Sequence, residues 1–441
     1  MDPVYTDFLN WFQLHKGTIA PCFSLHDFSQ DGMGCGAIAL SDIREGDLLF
    51  SIPRDLLFSI SNCKLPVLVA PEEWKKVNKQ WVGLILCMMW DYLENRERSF
   101  WKEYWDILPT TFDTPMFWPD DQLAELQGTG IEEKIGKKSA TEAFENLVAP
   151  LVKSRCDVFR NTEAYTLDLY HRMGSLILSR GFDDTKGEDE EKNEEKEGDE
   201  NGDVSMSYDD NDDDENDDDD EEDENNAIAM VPMADMLNAV SGGSNAILHY
   251  HATTLEMRAT QDIPKGSQIF NTYADPSNGD LLRRYGHIDP NNPFDNVDID
   301  VGLFAQVAEK KEKLRESKID WCLENDLEDT FTFTMKSLEE GGGVKLSPDC
   351  VSILQILLAS EKEFSAIKRK GTLPELDPNK IRKLIIDTVA KRESQYKTTI
   401  EQDEELLSQN LGKNVRNAVI VRLGEKKILR RMRESVLERM A

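Results

Sequence analysis

One turn is written twice in this chain. Residues 37–52 read AIALSDIREGDLLFSI and residues 257–270 read MRATQDIPKGSQIF. Each carries Asp-Ile-x-x-Gly, Asp42 to Gly46 and Asp262 to Gly266, between two short β-like runs. A glycine in a short polar turn between apolar, β-branched runs marks a strand connection. A single sheet domain interrupted by a long insertion produces this pattern. Two unrelated hairpins also produce it.

The second copy lies in the most informative stretch, Met230 to His287. It opens with an apolar run, Met230 to Leu237, broken by Asp235 and closed by Asn238. An Asn there suits a turn or cap, because its amide can bond nearby backbone. Residues 247–251, 255–260 and 268–273 follow as three short strand-like runs. Thr253-Thr254 and the Pro264-containing turn separate them. Two tyrosines, Tyr273 and Tyr285, stand at the end of the segment.

A length of 441 residues predicts two or three domains. The formal net charge is −34, of which residues 183–226 supply −23 through 26 acidic residues and three lysines. Such a tract cannot bury enough apolar surface to offset chain entropy, so it reads as a disordered, solvated loop. A docking tract for basic, lysine-rich proteins is the sharper reading of the same residues. A field this negative repels phosphate and excludes a nucleic-acid partner. The seven cysteines are scattered without a C-x-x-C pair, which argues against a disulfide framework and a zinc site. The longest apolar run, Trp81 to Trp90, is half of the about 20 residues that a membrane helix needs. These features predict no metal, no membrane and a reducing compartment.

Taken in order, Tyr5, Phe8, Leu9 and Phe12 predict a helix over residues 3–15. GMGCGAIAL at 32–40 reads as a glycine turn feeding a strand, either an ordinary turn or a cofactor cradle. Residues 66–180 are helical in texture and hold six of the eight tryptophans, which suit core packing. Arg180 closes that block ahead of the acidic tract. Beyond about residue 297 strand signals fade, and 302–320, 351–368, 379–395 and 402–440 show helical spacing. The last of these carries Lys426, Lys427, Arg430, Arg431 and Arg433, charges suited to a helix C-terminal half.

Eight pieces together carry a resemblance. They are Gly34-Cys35-Gly36, SFWKEYWDILP at 99–109, DTPMFW at 113–118, Ser179-Arg180-Gly181-Phe182, VPMADMLN, FNTY at 270–273, LLRRYGH at 281–287 and RLGEKKIL at 422–429. In this order the chain resembles the SET-domain protein lysine methyltransferases of the Rubisco and ribosomal-protein subclass. The resemblance implies an α+β fold: a split SET β-body with a helical insertion and an all-helical C-terminal substrate-binding domain. The implied boundaries are an N-terminal helix at 1–20, SET portions at 21–65 and 227–296, the insertion at 66–182, the acidic loop at 183–226 and the helical domain at 297–441. It also implies S-adenosylmethionine as cofactor, held by Gly34, Cys35, Gly36, Arg180, Asn238, Ala239 and Tyr273. Tyr273 and Tyr285 are the implied catalytic residues. Position 239 is Ala where the family has His; the family's contacts to adenine there are largely through the backbone, which Ala keeps.

The implied chemistry suits these residue types. A lysine amine is a nucleophile only when neutral, and neutralising it at pH 7 costs about 4–5 kcal/mol from a reference pKa near 10.4. A dry apolar channel and an adjacent sulfonium both lower that pKa. The protein must then align and desolvate, and a tyrosine hydroxyl on an apolar body can orient the amine. The implied partner is a basic, lysine-containing protein, ribosomal or nuclear, in the nucleus or cytoplasm. Two other readings remain: a histidine acceptor, and a non-catalytic acidic scaffold for basic proteins.

Overall fold

The structure is a computed structural model that describes residues 3–31, 33–79, 81–184, 228–240, 242–272, 275–340, 343–375 and 377–438. The chain forms two compact units. The first comprises Met1–Phe112 and Gly136–Asp275, the second Asp113–Ile135 and Pro276–Ala441.

Among the described residues the first unit is built on ten strands: β1 (Thr18–Ile19), β2 (Phe23–Asp27), β3 (Cys35–Ala39), β4 (Leu48–Pro53), β5 (Gly181–Asp183), β6 (Ile228–Met230), β7 (Asn238–Ala239), β8 (Ala246–Tyr250), β9 (Thr254–Ala259) and β10 (Gln268–Asn271). One sheet has the order β1-β4-β9-β8 and another β2-β3-β10-β7, while β5 and β6 pair alone. The two written-alike strand–turn–strand units, β3–β4 and β9–β10, are not hairpins, since each sends its two strands to different sheets, and they are not independent. β3 pairs antiparallel with β10, and β4 with β9. Of the two readings of the repeated turn, the interrupted single body is the one formed.

Alternation explains why these strands face as they do. In β4, Phe50 and Ile52 point inward opposite Met257 and Leu255 of β9, and all four are fully buried. Burying each such side chain contributes about 1.5–3 kcal/mol. The helix Pro3–Leu14 adds Phe8 and Phe12 to the same core. All nine residues of helix Val82–Trp90 are buried, so the apolar run at 81–90 is a core helix packed against helix Leu167–Arg180. The tryptophans do pack, but three also tie segments together: Trp90 Nε1 donates to the Val158 carbonyl (3.4 Å), Trp101 Nε1 to the Leu56 carbonyl (2.9 Å) and Trp105 Nε1 to Asp91 (2.8 Å). Among the described residues no helix is long and apolar enough to cross a membrane, and no group of three or more His, Cys, Asp or Glu is placed to hold a metal.

The second unit is mainly helical. Helices Pro348–Leu358, Pro378–Glu393 and Lys413–Glu438 supply 12 of the 27 buried residues of its larger core. One element differs from the expectation of helix alone. β11 (Asn296–Asp300) and β12 (Thr330–Thr334) form an antiparallel ribbon, with Phe331 and Phe333 buried and the intervening threonines turned outward. The Thr-Phe-Thr-Phe-Thr alternation is a strand signal that the surrounding helical texture masked. The expected helix over 402–440 is two helices, Ile400–Leu407 and Lys413–Glu438, interrupted near Gly412.

The block expected as one helical insertion, 66–182, is divided. Residues 113–135 belong with the second unit, where Trp118, Leu126 and Ile131 share a core with Leu282, Ala418 and Val421. Arg422 donates to the Glu125 carbonyl (2.8 Å), and Glu425 accepts from the Gly130 N–H (2.9 Å). RLGEKKIL is thus a clamp on a segment nearly 300 residues earlier in the chain. Of the acidic tract, residues from 185 onward lie outside the described residues. Its first two do not form a loop apart: Asp183 ends β5 and Asp184 is ion-paired to Arg54.

Candidate cofactor and active site

Sequence distance closes up at one point of the first unit. β10 lies between β3 and β7, with Ile269 opposite Ala37 and Phe270 opposite Asn238. This brings Gly36 beside Asn238. A Cβ built on Gly36 would stand 2.5 Å from Asn238 Nδ2 and 2.8 Å from Gln268 Nε2. Only glycine leaves the two amide side chains where they stand, closed over its backbone. Gly34 precedes it with φ +70° and accepts a hydrogen bond from the Phe28 N–H (2.6 Å), which turns the chain into β3. Ala239 sits in β7 opposite Asn271.

A second group of polar atoms lies behind Cys35. Arg180, the last residue of helix Leu167–Arg180, donates through Nη1 to the carbonyl of Asp235. Asp235 stands in a short 3-10 turn, Ala234–Met236, within the buried run that follows β6. Its Oδ2 accepts from the Tyr104 hydroxyl (2.5 Å). Burial pushes the Asp235 carboxyl up to about 7, against the pull of Arg180 and Tyr104. The Tyr104 phenol is pushed up by burial and by the charge on Asp235. Cys35 feels the charges of both Arg180 and Asp235, and burial raises its thiol to about 11, so it is a neutral packing group and not a thiolate.

Four buried polar atoms in these two groups have no hydrogen-bond partner among the described residues: Arg180 Nε, Asp235 Oδ1, Asn238 Nδ2 and Gln268 Nε2. Buried polar groups are normally paired, and an unmade bond costs about 1–3 kcal/mol. Across the two groups three donors and one acceptor are left open, the types of atom that a ligand carrying both signs of partner would pair with. The amino-acid end of S-adenosylmethionine, a carboxylate beside an ammonium, has that character.

Of the residues expected at a site, Gly34, Cys35, Gly36, Arg180, Asn238 and Ala239 all fall in the first unit, with Gly36 against Asn238 and Cys35 within the field of Arg180. Tyr273 lies outside the described residues; Asn271 and Thr272 just before it are described, and the Asn271 side chain accepts from the Thr272 N–H (2.9 Å). Tyr285 belongs to the second unit. It ends helix Asn278–Tyr285, which Ser277 caps by accepting from the Asp280 N–H, and its ring lies 6.0 Å from that of His287. Sequence reasoning passed over Tyr104, Asp235 and Gln268 as site residues. Asp235 carried a signal, an acid inside an unbroken apolar run. Tyr104 lies in the SFWKEYWDILP piece, which marked the segment but not this side chain, and Gln268 carried no signal.

Comparison with known proteins follows the same lines. Residues 306–429 match the family model Rubis-subs-bind, described as Rubisco LSMT substrate-binding. Human N-lysine methyltransferase SETD6 is 27% identical over 434 residues, covering 91% of this chain and 84% of that protein. The zebrafish (Danio rerio) protein of that name is 29% identical over 470 residues, covering 97% and 94%. Ribosomal lysine N-methyltransferase 4 of Saccharomyces cerevisiae is 29% identical over 275 residues, covering 62% of this chain and 52% of that protein. The crystal structure of the SET domain of LSMT bound to lysine and AdoHcy superposes with a TM-score of 0.69 at 21% identity, covering all of this chain and 92% of that one. Rubisco LSMT bound to sinefungin and monomethyllysine gives the same score and identity over 93% of its length. The fold is therefore the Rubisco LSMT type of SET fold, with a helical C-terminal substrate-binding region.

Proposed function

We propose that this chain, a member of the SET-domain protein-lysine methyltransferases of the Rubisco and ribosomal-protein subclass, methylates a lysine of a basic protein client in the nucleus or cytoplasm. The observation that carries the reading is the meeting of Gly36 and Asn238, two motif residues brought together only when the halves of the β-body interleave.

S-adenosylmethionine, when bound, supplies an activated methyl group. Gly34, Cys35 and Gly36 are assigned to its main-chain cradle, and Asn238, Ala239 and Arg180 to its polar end, where Asn238 Nδ2 and Arg180 Nε hold open donors. Asp235 Oδ1 is the acceptor for its ammonium. Tyr104 fixes the Asp235 carboxyl from behind, and Arg180 fixes its backbone. Tyr273 and Tyr285 are assigned to the amine, to orient its lone pair and exclude water. No general base is needed if the lysine is desolvated, since burial alone lowers an amine pKa by units.

A basic client fits the charge of the chain. The −23 on residues 183–226 attracts lysine-rich proteins at a range set by ionic strength. Incubation with methyl-labelled S-adenosylmethionine and basic ribosomal and nuclear proteins, followed by mass spectrometry, tests the reading. Methyllysine is expected. Methylhistidine, or cofactor binding with no transfer to any of these proteins, overturns it.

A further inference from the structure

Gln268 is not part of any motif that carries the family resemblance, yet it shares the position over Gly36 with Asn238. It opens β10, where its backbone is fixed from two sides. Ile38 of β3 pairs with it, and Asn245 donates through Nδ2 to the Gln268 carbonyl (3.1 Å). Asn245 also accepts from the Phe270 N–H (2.7 Å), so one buried side chain spans two rungs of the strand and sets its direction. The Gln268 side chain is thereby aimed across β3 at Gly36. Its Nε2 comes to 2.8 Å from the place where a Gly36 Cβ would stand, and there it is buried without a partner among the described residues. Asn238 Nδ2 arrives at the same place from β7 in the same condition.

Two open amide donors over one glycine are not explained by packing. A core position would take an apolar side chain, and a structural amide would be bonded to the backbone as Asn245 is. We propose that Gln268 is a further cofactor-binding residue, which with Asn238 grips one hydrogen-bond-accepting group of S-adenosylmethionine above Gly36. The assignment rests on the cofactor reading above. Product release falls under the same grip, because S-adenosylhomocysteine differs from the cofactor only by the methyl and its charge, so the acceptor is present in both.

Calorimetric titration of the purified full-length chain with S-adenosylmethionine and S-adenosylhomocysteine tests the proposal without any turnover. Gln268→Ala is expected to weaken both ligands about tenfold, the worth of one buried hydrogen bond. Its ligand-free melting temperature should match that of the parent chain. Gln268→Glu keeps the shape but replaces the amide by a carboxylate that draws the Asn238 donor to itself; it should weaken both ligands at least as much. Asn238→Ala is the reference. If Asn238→Ala loses affinity while both Gln268 variants bind like the parent, the Gln268 assignment is wrong and the cofactor site stands. If the parent chain binds neither ligand, the cofactor reading itself is wrong. Should Gln268→Ala melt lower, the Glu variant decides by the same comparison.

Discussion

Ile43 and Ile263 exchange both of their backbone hydrogen bonds, each 2.9 Å long. They are the second residues of the two Asp-Ile-x-x-Gly turns, and their neighbours repeat the exchange. Asp42 accepts from the Lys265 N–H (2.8 Å), and Asp262 accepts from the Glu45 N–H (3.0 Å). Gly46 donates to the Ala259 carbonyl and Gly266 to that of Ala39, both at 2.8 Å. The two turns are thus related by a local two-fold, residue for residue at a spacing of 220. Each turn is completed by the other half of the chain.

That symmetry makes a prediction about Gly46 and Gly266. Their φ values are +82° and +85°, and a Cβ at either would meet nothing within 4 Å. Any cost of Gly→Ala is therefore backbone strain, about 1–2 kcal/mol at each site. Urea unfolding should show equal losses for Gly46→Ala and Gly266→Ala, and smaller ones for Gly→Asn. A loss at only one site would mean that the halves do not share the load.

Gly36 should behave in the opposite way. Its added methyl would strike the Asn238 and Gln268 amides and the Phe28 ring, all mobile side-chain ends. Stability should fall little, because those ends can swing aside, but both amides would be displaced together. Gly36→Ala is expected to weaken S-adenosylmethionine about a hundredfold, as the loss of two buried bonds requires. Calorimetry beside a thermal melt separates this from simple unfolding.

The repeated turn, the strands of the β-body and the helical C-terminal region were legible in the sequence because each has a local period or a local turn chemistry. The position of residues 113–135 was not, since helical texture does not say which core a helix joins. Trp118 and Ile131 read as core in either unit; only Arg422 and Glu425, far along the chain, decide it. The site was half legible. Gly36 and Asn238 stand out by motif, whereas Tyr104 matters solely through Asp235, a partner 131 residues away. No pattern within a sequence window can report such a contact. The ribbon of β11 and β12 escaped for a simpler reason, its shortness amid helices.

Asp235 fixes a pH dependence for the first unit. Its folded value of about 7 exceeds the ordinary 3.8, so the folded chain holds a proton that the unfolded chain has lost between those values. Stability from this group is present at low pH and is lost as pH rises through 7. Asp235→Asn cannot ionise. The variant should match the parent near pH 4, exceed it increasingly up to about pH 7 and keep a constant margin above that, by at most about 4 kcal/mol. Melts from pH 5 to 8.5 measure the divergence; parallel curves would show that the carboxyl is ionised throughout.

The proposed assignment of Tyr273 to the substrate amine is tested by Tyr273→Phe. The variant keeps the ring and removes only the hydroxyl proposed to orient the amine together with Tyr285. Methyl transfer is expected to fall about a hundredfold, as for loss of one preorganised polar group. Calorimetric affinity for S-adenosylmethionine should stay within about threefold of the parent, less than one hydrogen bond. Full activity in the variant would reduce Tyr273 to a packing residue.

Asp403 gives the second unit the reverse pH dependence. Its side chain is fully buried and bonded to Arg422 (2.9 Å), Lys426 and Thr398. Burial alone would raise its carboxyl, but the bonds from those partners outweigh it and hold the group below the ordinary 3.8. Its contribution is then present above pH 3.8 and is lost as pH falls further. Asp403→Ala leaves two cations buried without their shared carboxylate, which costs about 3–5 kcal/mol. Arg422 also holds Glu125, so the loss should reach the 113–135 segment. Hydrogen exchange is expected to speed up at the amides of Thr129 and Gly130 in the variant at neutral pH, while those of Ile43 and Ile263 keep their protection. Equal acceleration at all four amides would contradict a division of the chain into two units.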